Sequence, residues 1–175
     1  MSNPAEILSL AAGSRFISKI DLQSAFFQIP MAETSIPYTG FRTHSGLWVF
    51  NRCAQGLRNS PKTMQRLIDA ILRGCHKYAK AHIDDIIVFS NSWSEHLGHL
   101  RDVFTRLKNA NLTVNVLKCE IAASELIVLG HTIKDGCIGV DDRKVEAIKQ
   151  LKNPTTKREV KKVLGLLAYY MKMVP

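Results

Sequence analysis

Two apolar runs, Tyr78–Ile83 and Ile86–Ser90, are interrupted only by Asp84-Asp85. Such a pair reads as two strands joined by a tight hairpin with two carboxylates at its tip. The elements around it narrow the fold. Phe16–Leu22 suits a strand, and a hairpin is expected around Thr39–Phe50, turning at His44-Ser45-Gly46. Ser60-Pro61 reads as an N-cap and first helical residue; Met64, Leu67, Ile68, Ile71 and Leu72 then share one face up to Gly74. Ser92-x-x-Glu95 is a capping box opening a helix with Trp93, Leu97, Leu100, Phe104 and Leu107 on one stripe. Short strands are expected near Leu112–Val116, Leu126–Leu129, His131–Ile133 and, after a turn at Lys134-Asp135-Gly136, Ile138–Val140. Helices Asp142–Leu151 and Thr156–Tyr170 close the chain, the second opened by the box Thr156-x-x-Glu159.

With the 39–50 hairpin set aside, the order from Phe16 to Val116 is β-α-β-β-α-β, the split βαβ arrangement of an α+β fold. Its third strand returns antiparallel and lies beside the first at the sheet centre. The end of strand one therefore neighbours the start of strand three, which brings Asp21 to Asp84 and Asp85.

Three carboxylates at one sheet end repel each other unless a cation sits among them. Hard oxygen ligands favour Mg²⁺ or Mn²⁺, and a pair of such ions serves phosphoryl transfer. Taken singly, Asp84-Asp85 is more often a polar hairpin tip, and Asp21 reads equally as a cap for the following turn.

The chain's 175 residues fit one domain with a small appendage, and its net charge of +9 predicts a polyanionic partner, nucleic acid first. Residues 141–175 carry seven Lys and two Arg against four acids. Basic helices there either track a phosphate backbone or present a solvated face. Cys53, Cys75, Cys119 and Cys137 lack C-x-x-C spacing and read as free thiols of a reducing compartment. No apolar run approaches membrane-spanning length, and Met1–Gly13 lacks the basic start of a signal peptide. The expectation is an intracellular protein, in cytoplasm or nucleus, with no membrane partner.

At these residues the sequence resembles the reverse transcriptase domain of gypsy-type LTR retrotransposons and, more distantly, of retroviruses. Lys19-Ile-Asp-Leu-Gln-Ser-Ala-Phe-Phe-Gln-Ile29 is similar to the first catalytic motif of the polymerase palm. Gln55-Gly-Leu-Arg-Asn-Ser-Pro-Lys-Thr-Met-Gln65 is similar to the segment beside the nucleotide, and His82-Ile-Asp-Asp-Ile-Ile-Val-Phe-Ser90 to the Y-x-D-D motif with its trailing strand. Leu129-Gly130-His131, Val145–Ile148 and Leu164–Tyr170 resemble the primer grip and the first thumb helices. The resemblance implies an RNA-directed DNA polymerase acting on an RNA or DNA template with a primer and dNTPs. It implies that Asp21, Asp84 and Asp85 hold two Mg²⁺ or Mn²⁺ ions, with the Leu22 carbonyl near one. It makes Phe26 the steric gate against a 2′-hydroxyl, Gln55 and Gly56 contacts of the incoming nucleotide, and Leu129, Gly130 and His131 the seat of the primer end.

His82 stands where the family has tyrosine, Ala54 where proline is usual and Met64 where phenylalanine is usual. The expected division is a palm over 1–140, with the fingers largely missing, and the start of a thumb over 141–175. That pattern suits a fragmentary or decayed element or a piece of a longer polyprotein. Two rival functions remain: a non-catalytic nucleic-acid-binding remnant of the same fold, and a metal-dependent phosphodiesterase using the same carboxylates. The second leaves the Gln55 and Leu129 blocks unexplained.

Overall fold

The structure is a computed structural model describing residues 4–134, 136–140, 146 and 153–170. The central sheet has three strands in the order β1 (Phe16–Asp21), β5 (Asp85–Ser90), β4 (Ala79–His82), all neighbours antiparallel. This is the expected juxtaposition of strands one and three. Both faces of β5 are covered, so Ile86–Ser90 is continuously buried.

Side chains alternate across a strand and sort the core into two layers. Ile20, Ala79, Ala81, Ile86 and Val88 face α2 (Ser60–Ile71) and α3 (Trp93–Asn109). Ile17, Ile87 and Phe89 face the other way, onto α1 (Pro4–Ala12) and a second sheet, β6 (Glu125–Val128), β7 (His131–Lys134), β8 (Cys137–Val140). Each fully buried isoleucine, such as Ile20, Ile68 or Ile86, contributes about 1.5–3 kcal/mol over an exposed one. Helix α1 has no counterpart among the expected elements; Ile7, Leu8 and Ala11 are its buried face.

Several expectations shift. The capping residue of α2 is Asn59, and Ser60, already helical, is buried with its hydroxyl donating to the Ala54 carbonyl at 2.8 Å. Helix α3 turns inward His96, Leu100, Val103 and Leu107, leaving Trp93, Leu97 and Phe104 exposed. Its rotation is set by His96, whose Nε2 meets Ser18 Oγ on β1 at 2.7 Å and whose Nδ1 meets Ser90 Oγ on β5 at 2.9 Å. Ser92 is the N-cap as expected, its Oγ accepting the Glu95 N–H at 3.3 Å.

The strand expected at Leu112–Val116 is reduced to a bridge between Val114 and Leu22, followed by a 3-10 turn at Val116–Lys118. Gln28 explains part of this: its amide takes both backbone groups of Thr113, at 2.7 and 2.9 Å. The segment rejoins β1 where Lys19 and Glu120 exchange backbone hydrogen bonds of 2.8 and 2.9 Å.

The inserted hairpin forms as β2 (Phe41–Thr43) and β3 (Gly46–Trp48), its turn being His44-Ser45. Helix α4 (Lys157–Tyr170) begins with a complete capping box. Thr156 Oγ1 accepts from Glu159 N at 3.3 Å, and Glu159 Oε2 accepts from Thr156 N at 3.2 Å. The expected helix Asp142–Leu151, apart from Glu146, lies outside the described residues, as do Asp135 and the 140/141 boundary of the expected thumb. No helix among the described residues is long and apolar enough to cross a membrane.

Candidate active site

The register of the central sheet puts Asp21, Asp85 and His82 in one cross-strand row. Directly paired residues share a face. That face is the one covered by α1 and the second sheet, and the row lies at its end. Lys19, Ile87 and Lys80 form the next row inward.

The turn that delivers the third carboxylate is Ile83-Asp84, one residue earlier than expected, because His82 pairs with Asp85. Asp85 is therefore a strand residue and Asp84 alone is at the tip. Ile83 has φ of 58°, a left-handed conformation that costs a β-branched residue about 1–3 kcal/mol. The buried Gln65 of α2 holds this turn. Its Oε1 accepts the Ile83 N–H at 2.8 Å, and its Nε2 donates to Ala81 O at 3.0 Å and Asp69 Oδ1 at 2.8 Å. Sequence reasoning missed this role of Gln65, although a polar residue between Met64 and Ile68 on an apolar face was a signal for it.

Burial pushes the Asp85 carboxyl up from its ordinary value. The neighbouring charges of Asp84 and Asp21 push the same way, while Lys19 and His82 oppose them. Asp84 and Asp21 thus both bear electrostatically on Asp85 at this sheet end. Their oxygen donors suit a hard divalent cation. Among the described residues, however, no three His, Cys, Asp or Glu side chains are grouped as a ready-made metal cage.

The remaining candidates lie on other segments of the chain. Leu22 is buried next to Asp21. Phe26, in a 3-10 turn after β1, is half-buried against the α2–α3 core, while Phe27 is more exposed and stacks obliquely near Phe50. Gln55 and Gly56 are exposed in the loop before α2. Gly56 has φ of 87° with no protein atom within 4 Å of where a Cβ would stand, so backbone conformation, not crowding within the chain, is what favours glycine there. A half-open cavity of about 430 Å³ lies between the first two motif blocks, walled by Ile29, Met31, Arg58, Asn59 and Thr63 among others; the carboxylates are not in its wall. Leu129 and Gly130, with φ of 52° and 78°, form the two-residue turn between Val128 and its partner His131. The Leu126–Leu129 strand thus ends one residue early, and His131 is buried in β7.

A family model described as reverse transcriptase (RNA-dependent DNA polymerase) matches residues 2–133. The chain belongs to the reverse transcriptase family. Its 174 aligned residues are 41% identical to the Retrovirus-related Pol polyprotein from transposon 297 of Drosophila melanogaster, covering 99% of the chain and 16% of that polyprotein. It is 30% identical over 171 residues to the Transposon Tf2-3 polyprotein of Schizosaccharomyces pombe, covering 97% of the chain and 13% of the relative. This reverse transcriptase domain thus spans about a sixth of the first relative's length. Among solved structures, a foamy viral protease-reverse transcriptase in complex with double-stranded DNA superposes with a TM-score of 0.89 at 26% identity, covering 97% of this chain and 30% of that one. A foamy viral enzyme in complex with an RNA/DNA hybrid gives 0.82 at 27%, covering 94% and 22%. The likeness extends to the fold: the α+β palm of a reverse transcriptase domain, of the kind carried by retrotransposon polyproteins.

Proposed function

We propose that this domain is the palm of an RNA-directed DNA polymerase that adds deoxynucleotides to a primer 3′-end with two divalent ions, Mg²⁺ or Mn²⁺. The observation that carries the reading is the pairing of Asp21 with Asp85 at the sheet end, with Asp84 in the adjoining turn, in a chain of this family. Asp21, Asp84 and Asp85 would hold the ions, with the Leu22 carbonyl nearby. When bound, the ions stabilise the charge of an in-line displacement at the α-phosphate. The chain's own residues position the reactants. Gln55 and Gly56 border the incoming nucleotide, Phe26 stands against its sugar, and Leu129, Gly130 and His131 seat the primer end. Template and primer are held through phosphates by basic side chains, in keeping with the net charge of +9. That the foamy viral relatives are complexes with double-stranded DNA and an RNA/DNA hybrid supports nucleic acid as the partner.

A second reading is a non-catalytic nucleic-acid-binding domain, favoured by the lack of a ready-made metal cage among the described residues. One assay separates the two. Extension of a DNA primer on an RNA template is measured with dNTPs and Mg²⁺ or Mn²⁺, alongside duplex affinity. Metal-dependent extension abolished by Asp21→Asn or Asp85→Asn supports the polymerase. Tight duplex binding with no extension under either metal overturns it in favour of the binding domain.

A further inference from the structure

Lys19 lies two residues before Asp21 on the same face of β1, and its side chain is only 17% exposed. Its ammonium leaves the central sheet. It forms an ion pair with Glu120 Oε1 at 2.7 Å and donates to the Ile127 carbonyl of β6 at 3.2 Å. Ile127 is in turn two residues before Leu129, at the turn of the second sheet. Among the described residues the two sheets share no ladder, and between them Ile17, Ile87, Leu126 and Val128 make apolar contact. Apolar packing is non-directional and leaves the sliding of one sheet over the other weakly specified. A charge-assisted hydrogen bond is short and directional, so it discriminates between relative placements of two sheets that apolar contact leaves alike. The backbone reinforces the tie, since Glu120 is held to Lys19 by its own N–H and carbonyl.

We propose that Lys19, through Glu120 and Ile127, is a positioning residue that fixes the Leu129-Gly130 turn relative to the Asp21–Asp85 row and so sets where the primer 3′-end lies. The placement of the primer rests on the polymerase reading; the tie between the sheets does not. The same row supplies an internal control. Lys80 pairs with Glu6 at 2.8 Å and is buried to a similar degree, but it joins β4 to α1. A purely structural role for buried lysines in this row predicts equal effects at both positions.

The full chain is bound to a DNA primer–template duplex with Fe²⁺ as the metal probe, hydrogen peroxide is added as the oxidant, and the resulting hydroxyl-radical cuts on the primer strand are mapped. Amide hydrogen exchange at Leu129 and Gly130 is followed in the free chain. The parent and Lys80→Met are expected to give cuts focused near the primer end, because the radical arises at one bound metal. Lys19→Met retains duplex affinity but loses the focused cut, and its exchange at Leu129 and Gly130 rises; Lys19→Arg recovers both. If Lys19→Met does not fold, Glu120→Gln carries the same two measurements. Parental cutting and exchange in the Lys19 or Glu120 variant, or an equal effect of Lys80→Met, overturns the proposal. A parent that binds duplex without any focused cut counts against the polymerase reading instead, and the exchange data still decide whether Lys19 holds the turn.

Discussion

Gln65 Oε1 accepts the backbone N–H of Ile83 at 2.8 Å, so a fully buried amide on a helix holds the one left-handed residue of the aspartate-bearing hairpin. The bond offsets part of the strain at Ile83 and sets where Asp84 emerges. Gln65→Leu keeps the volume but strands the Ile83 donor. It is expected to lower stability by about 1–3 kcal/mol, read from urea unfolding with an unchanged slope. On the two-ion reading proposed above, it should also weaken any stabilisation of the parent by Mn²⁺, since Asp84 loses its fixed direction. An unaltered unfolding midpoint would show that the turn holds itself.

Asp85 keeps its proton to higher pH in the folded chain, so its linkage runs opposite to that of a salt-bridged carboxylate. As pH rises past the ordinary value of 3.8, the unfolded chain releases this proton before the folded one does. Stability is lost over that interval and the loss is complete above the raised folded value. Asp85→Asn should therefore melt higher than the parent at neutral pH, with the gap closing in acid. Mg²⁺ or Mn²⁺ should narrow the gap from the other side by stabilising the parent more. A variant that melts lower at neutral pH would mean that Asp85 is already balanced by its neighbours.

His96 titrates in the opposite sense. Burial first, then the nearby His99, lowers its pKa from the ordinary 6.5, and Ser18 and Ser90 hold both ring nitrogens. Below pH 6.5 the unfolded chain takes up a proton that the folded chain refuses, so stability falls as the medium acidifies until the lowered value is passed. His96→Gln should flatten that slope, visible as a smaller drop in Tm between neutral and mildly acidic buffer. A slope identical to the parent's would assign it to other histidines.

Lys62 and Arg66 are exposed one turn apart on α2, and Arg58 precedes them in the loop after Gly56. If this ridge meets a phosphate backbone, replacing all three by Ala should weaken duplex binding alike for every sequence. The slope of log affinity against log salt should become shallower by about 0.9 for each phosphate that the ridge no longer neutralises. An unchanged slope would make the ridge a solvated surface.

The central hairpin, the order of elements and the meeting of Asp21 with Asp85 were legible in the sequence, because apolar runs and split βαβ connectivity leave few alternatives. What stayed hidden was finer than periodicity can carry. The turn falls at Ile83-Asp84 because register, not composition, decides which residue is unpaired, and an isoleucine with positive φ is a poor candidate on propensity alone. The rotation of α3 escaped the pattern because Trp93, Leu97 and Phe104 form an apolar stripe beside the one that the polar His96 actually leads inward. The Leu112–Val116 strand shrinks to a bridge in part because a distant side chain, Gln28, takes the Thr113 N–H, while the Thr113 carbonyl still accepts from Gln23 N. The role of Lys19 depends on a partner 108 positions away in sequence, which no local pattern encodes.

The irregular way in which residues 113–120 run along β1 also bears on solubility. An apolar three-stranded sheet offers two open edges to which another copy could add a strand. Along β1 the chain bridges at Val114 and again at Glu120, with a 3-10 turn bulging between them. A foreign strand therefore meets neither a continuous row of free donors nor a flat surface. The opposite edge is β4, four residues long and carrying Lys80. Short on one side and interrupted on the other, these margins leave little continuous edge on which a second copy could extend the sheet around β5.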